Sequence, residues 1–188
     1  YGALGAEDTS SYAVAIGHNA LATQNAPSDT YNVAVGKSAG YAVTTGADNT
    51  IIGGLAGDAL TTGSLNVAVG KAALGSEDTG SANVAIGHAA LMNQNYDGSG
   101  YNTAVGHNAG TDVTTGVNNT LIGGLAGDAL TTGSENVAIG KSALSNEDGG
   151  SGNIAIGFAA LGTLDAGADV YNVAIGRSAG AAMTTGGY

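Results

Sequence analysis

The 188-residue sequence has no cysteine, no tryptophan, one proline, one phenylalanine and only four basic residues. The lack of cysteine fits a secreted or virion protein that needs no disulfides, without fixing the compartment. Four basic residues stand against fifteen acidic ones, a net charge of −11. That balance disfavours nucleic acid as a partner, because phosphate recognition needs clustered Lys and Arg. It favours solubility of a large exposed surface. The scarcity of large apolar side chains excludes a thick globular core, so any interior must be narrow and filled with small residues. No apolar run approaches the ~20 residues of a spanning helix, and no membrane span is expected.

What is present is glycine, 34 of it, set in a repeat. The unit reads Asn-Val-Ala-Val/Ile-Gly-x-x-Ala. Its central glycine falls at Gly17, Gly36, Gly53, Gly70, Gly87, Gly106, Gly123, Gly140, Gly157 and Gly176, spaced 17 or 19 residues apart. Four units make a super-repeat of 70 residues, and residues 44–74 match 114–144 at 25 of 31 positions. Low-complexity disorder would not keep such phase.

Aligned on that glycine, each position becomes a column. The residue before it is always Val or Ile, and two further back it is Val, Ile or Thr. β-branched residues at period two indicate a strand. Three after the glycine stands Ala in every unit, from Ala20 to Ala179; the next residue is Leu or Gly. Four before it stands Asn: Asn32, Asn49, Asn66, Asn83, Asn102, Asn119, Asn136, Asn153 and Asn172, with Ala13 the exception. These columns predict an all-β fold, a parallel β-solenoid (β-roll) of about ten to eleven coils filling 1–188 as one repetitive domain. The glycines would form its corners, and the Asn column a stacked amide ladder or a set of backbone bonds. Each coil is expected to carry two short strands bent at the glycine, with a return turn at the Thr-Thr-Gly triplets. Coils about 4.8 Å apart would make a rod of roughly 45–50 Å. The 19-residue coils should bulge outward at their two extra residues, as at 165–171.

The strand is apolar on both faces, and such a strand is buried on both. With the β-branched pair assigned to the core, the middle residue, Ala in eight coils, faces out. A small-residue outer face lets neighbouring chains approach, and a homotrimer around a common axis is the simplest closure. The Asn-Val-Ala-Ile-Gly units at 136–140 and 172–176 resemble the head repeats of trimeric autotransporter adhesins of the YadA type. The 17-residue form with Thr-Thr-Gly-x-x-Asn is similar to shaft repeats of phage tail-fibre-like proteins. The resemblance covers nearly the whole chain. It implies a left-handed β-roll, trimeric, working in attachment at an extracellular, cell-surface or virion location. A segment of a longer fibre is expected, because the first residues already lie within the repeat.

All basic residues and all histidines sit just after the motif glycine: His18, Lys37, Lys71, His88, His107, Lys141 and Arg177. Acids avoid this column and cluster in turns, as at Asp58, Glu77, Asp78, Asp128, Glu147 and Asp148. This basic seam is either a solvated face or the partner of a neighbouring chain's acidic turns. His18 and His88 lie four coils apart, while His88 and His107 fall in adjacent coils and could pair; no metal site is expected. The acidic turns at 146–150 and 95–98 offer oxygen ligands for calcium, but acids do not recur at fixed ligand spacing, so no cofactor is expected. Glycine-rich stretches such as Gly53-Gly54 lack the Lys-Ser/Thr of a phosphate loop. No catalytic constellation recurs, and the chain reads as non-enzymatic. Tyr31, Tyr101 and Tyr171, 70 residues apart, are candidate surface-binding residues for a glycan or receptor. Alternative functions are a self-assembling, end-stacking extracellular filament, an ice-binding solenoid and a glycan-binding surface.

Overall fold

The structure, a computed structural model, describes residues 2–6 and 12–185. Ten three-residue strands follow one another: β1 (Val14–Ile16), β2 (Val33–Val35), β3 (Thr50–Ile52), β4 (Val67–Val69), β5 (Val84–Ile86), β6 (Thr103–Val105), β7 (Thr120–Ile122), β8 (Val137–Ile139), β9 (Ile154–Ile156) and β10 (Val173–Ile175). They form one parallel sheet in sequential order. The chain is thus a parallel β-solenoid of about ten turns. None of the described residues forms a helix long and apolar enough to cross a membrane.

Register is the same between every pair of coils. Val14 pairs with Val33 across a 19-residue coil, and Val33 pairs with Thr50 across a 17-residue one. The two extra residues are absorbed away from the sheet, where Pro27, Ser28 and Asp29 are exposed, as are Gly167, Ala168 and Asp169. Like residues therefore stack on like along the rod.

Each strand ends at a motif glycine, and all ten of these have φ between 127° and 146°. L-residues rarely adopt that backbone. Stacking adds a second constraint. A Cβ on Gly36 would sit 2.6 Å from the carbonyl oxygen of Gly53 in the next coil. The corner is closed to side chains by its own copy one coil along.

The expected second strand after the corner is not formed, and each coil carries one strand. Two residues past the glycine, and again four past it, the chain enters the left-handed region: Asn19 at 58° and Leu21 at 47°, Ala72 at 56° and Leu74 at 52°. Alternating left-handed residues break the pleat. The coils still bond here, as from the Leu74 N–H to the Ala90 carbonyl at 3.0 Å.

The inward face is the reverse of the expectation. The middle residue of the strand points inside: Ala34, Ala68, Ala85, Ala104, Ala138, Ala155 and Ala174 are buried, as are Ile51 and Leu121, and Ala15 in the first strand is partly buried. The β-branched pair points outward. The physical reason is volume. The opposite wall already fills the interior with the Ala three after the glycine, Leu21, Leu74, Leu91, Leu144 and Leu161 four after it, and Val43, Leu60, Val113, Leu130 and Leu164 seven after it. Only a small residue fits across from them. Where the strand instead carries Ile51 or Leu121, the facing position is Gly57 or Gly127. A Cβ on Gly127 would lie 2.8 Å from Leu121 Cδ2 and 2.9 Å from Leu130 Cδ1. Large and small residues alternate to keep interior density.

Candidate interaction surface

The outward β-branched residues make two continuous columns, one on each side of the buried middle residue. Val33, Val35, Val67, Val69, Val137 and Ile139 are half-buried, and Ile52, Ile86 and Ile122 remain 37–38% exposed. Part of each side chain is covered by its copies in adjacent coils. The rest faces away from the protein. An apolar stripe running the full length of a rod is uncommon on a soluble monomer.

Beneath the start of each strand runs the Asn ladder. The backbone N–H of each of Asn49, Asn66, Asn83, Asn102, Asn119, Asn136, Asn153 and Asn172 donates to Oδ1 of the Asn one coil before, at 2.8–3.2 Å. The Nδ2 of Asn32, Asn49, Asn66, Asn102, Asn119 and Asn136 donates to the carbonyl of the turn glycine fourteen residues on, at 2.7–2.9 Å. The ladder therefore bonds side chain to backbone from coil to coil, and amide to amide at its end, where Nδ2 of Asn153 and of Asn172 donates to Oδ1 of Asn136 and of Asn153 at 3.2 Å. The Thr-Thr-Gly turns add a parallel set, in which Thr61 Oγ1 donates to the Asp78 carbonyl at 2.9 Å and Thr131 Oγ1 to that of Asp148 at 3.0 Å. The fifth triplet, at 184–186, runs beyond the described residues.

Two rims border the apolar stripe. On the C-terminal side lies the basic column: His18, Lys37, Lys71, His88, His107, Lys141 and Arg177, all exposed. Neighbours in it touch. The rings of His88 and His107 stack with centroids 5.2 Å apart, and the Arg177 guanidinium lies 5.6 Å over the Phe158 ring. On the N-terminal side lies the column just before Asn, which holds Tyr12, Tyr31, Asp48, Leu65, Ala82, Tyr101, Asn118, Glu135, Gly152 and Tyr171. From Tyr31 onward every member has φ between 49° and 73°. That backbone fixes how each side chain leaves the rod. Tyr31, Tyr101 and Tyr171 are 55–61% exposed. Tyr31 stacks on Tyr12 at 5.4 Å, and the ring of Tyr171 covers the place a Cβ would take on Gly152.

No family model, no curated protein and no solved structure matches the chain.

The acidic turns are not uniformly solvated. Glu77 and Glu147 point into the rod and are fully buried. Glu147 Oε1 accepts the N–H of Gly150 at 2.7 Å and of Gly167 at 3.2 Å, and its Oε2 that of Ala166 at 3.1 Å. Glu77 Oε1 accepts the Gly80 N–H at 2.8 Å. Burial raises the Glu77 pKa above its ordinary value, against the lowering effect of these backbone donors. Burial likewise raises Asp58 and Asp128. In the same interior column Gln24 and Gln94 accept Nδ2 bonds from Asn32 and Asn102 at 2.8 and 3.1 Å. Glu147, Asp148 and Asp165 bring carboxylate oxygens within 4.8 Å of one another. One super-repeat earlier the third place is Asn95, so the cluster does not recur. Among the described residues no cavity is enclosed.

Proposed function

We propose that the chain is a segment of the shaft of an extracellular or virion attachment fibre, built by three copies packed through their outward β-branched faces. The observation that carries the reading is the column of Val and Ile just before the corner, unbroken across ten strands in constant register and flanked by a second column of Val, Ile and Thr. A lone rod covers only part of each Val and Ile in those columns, and leaves Ile52, Ile86 and Ile122 37–38% exposed. Covering the stripe would contribute about 1 kcal/mol for each half-exposed Val or Ile, at two positions in seven coils and at one in the three whose strands begin with Thr50, Thr103 and Thr120. The same stacking makes length modular, which suits a shaft. Each coil repeats the same hydrogen bonds, so coils can be added without a new core.

Inserting one further 70-residue super-repeat tests this. Four coils should lengthen the rod by about 19 Å in electron micrographs, with width and cooperative melting unchanged. A particle that widens, or melts in two separate steps, argues against a shaft.

A further inference from the structure

The two rims of the apolar stripe complement each other, and neither complements itself. The N-terminal rim carries four tyrosines, Asp48 and Glu135 and no cation; the C-terminal rim carries every cation and histidine of the chain and no acid. Three coils repeat one pairing at 70-residue intervals: Tyr31 with Lys37, Tyr101 with His107, Tyr171 with Arg177. Elsewhere Glu135 shares its coil with Lys141, Phe158 with Gly152, and Asp48 with Gly54. Glu135 thus faces a base, Phe158 faces a gap, and no coil sets like charges on opposite rims. Within one chain these pairs cannot meet. They lie six residues apart, on either side of a strand that itself spans about 10 Å. No hydrogen bond or ion pair among the described residues engages the Lys37, Lys71 or Lys141 side chains.

From this we infer that the occupant of the stripe is a second copy of this chain running parallel, with the N-terminal rim of one meeting the C-terminal rim of the next at the same coil. The inference rests on reading the β-branched face as a self-association surface, and adds its polarity and register. Closed rotational symmetry about an axis along the rod allows no axial shift, so equal coils meet at equal height. At that height Tyr31, Tyr101 and Tyr171 of one chain receive Lys37, His107 and Arg177 of its neighbour. The Lys37 or Arg177 cation over a tyrosine face is attractive, more so where the adjoining stripe excludes water, and the His107 ring meets Tyr101 as an aromatic pair. The 70-residue period thus places such a rung every four coils, with Tyr12 and His18 adding one beside the first, locking register where the β-branched columns alone would tolerate a slip. An antiparallel packing would bring different coils together and lose every rung.

Cysteine pairs read the register on a chain that has none of its own. Tyr101→Cys with His107→Cys, after mild oxidation, should convert the assembly to a covalent closed oligomer on a non-reducing gel. The thiols are too far apart within one chain to bridge, since a disulfide needs Cα atoms within about 7 Å. Tyr101→Cys with Lys71→Cys, two coils out of step by about 10 Å, should cross-link at least about ten-fold less. Tyr31→Cys with Lys37→Cys repeats the test in another coil, should the first pair fold poorly. An oligomer of unchanged mass in which neither same-coil pair cross-links overturns the inference alone, as does preference for the out-of-step pair. A wild-type chain that is monomeric overturns both it and the self-association reading.

Discussion

Oδ1 of Asn102 accepts the backbone N–H of Asn119, seventeen residues later and one coil along, at 2.8 Å. Asn119 Nδ2 in turn donates to the Gly133 carbonyl at 2.9 Å, and its Oδ1 accepts the Asn136 N–H at 2.9 Å. One buried side chain thus joins three stretches of backbone. Asn119→Ala leaves a buried N–H and a buried carbonyl without partners, and should cost about 2–4 kcal/mol. Asn119→Asp keeps the acceptor but loses the donor and adds a buried charge. Its deficit should shrink in acid as the carboxyl regains a proton. Denaturant titrations of both variants at two pH values check this; equal stability to wild type would remove the ladder from the account.

The corner glycine makes a sharper contrast. Gly106 has φ 146°, and a Cβ there would lie 2.5 Å from the Gly123 carbonyl oxygen. Gly106→Ala should destabilise by about 3 kcal/mol or more, combining backbone strain with a clash that only a shifted coil relieves. Gly54, one residue past a corner, has only the Lys37 carbonyl oxygen at 4.0 Å from such a Cβ. Gly54→Ala should be neutral or stabilising by about 0.5 kcal/mol, through the unfolded chain. The pair of melting curves separates corner chemistry from a general need for glycine.

Several strained positions were invisible in the composition. Leu65 is 61% exposed and held at φ 62°, a conformation that suits Asn better than Leu. Asn118 fills the same column at 59°. Leu65→Asn should raise stability by about 0.5–1 kcal/mol, read as a higher denaturation midpoint.

Acid should stabilise the fold. Glu77, Asp58 and Asp128 have pKa values raised by burial, so the folded state holds protons more tightly than the unfolded chain. Their contribution is fully present below the ordinary carboxylate pKa and is lost as pH rises through the raised folded values. Stability should climb as pH falls from neutrality into that window. Glu77→Gln, a residue the same column already accepts at Gln24 and Gln94, should raise stability at neutral pH and flatten the profile. Melting temperatures across that window test it, and a wild type that weakens steadily on acidification contradicts it.

The period, the corner at Gly17 through Gly176 and the Asn column are legible in the sequence because stacking demands identity column by column. Which strand face turns inward is not. Val33-Ala34-Val35 is apolar both ways, and periodicity of two is symmetric between them. The decision is made by volume across the interior, where Leu74 sits opposite Ala68 and Leu121 sits opposite Gly127. The single strand per coil escaped notice for a related reason: Leu21, Ala72 and Tyr31 are not residues that announce a left-handed backbone. Glu77 and Glu147 read as solvated turn acids because their donors, the N–H groups of Gly80, Gly150 and Ala166, are backbone groups.

Sedimentation equilibrium on the 17.9 kDa chain, beside Ile86→Asp with Ile122→Asp, bears most directly on what covers the stripe. The account predicts a wild-type mass of three chains, with the double variant dissociating while its far-ultraviolet spectrum keeps the solenoid signature. A wild-type mass of one chain at all concentrations, or a double variant that stays trimeric, would contradict it.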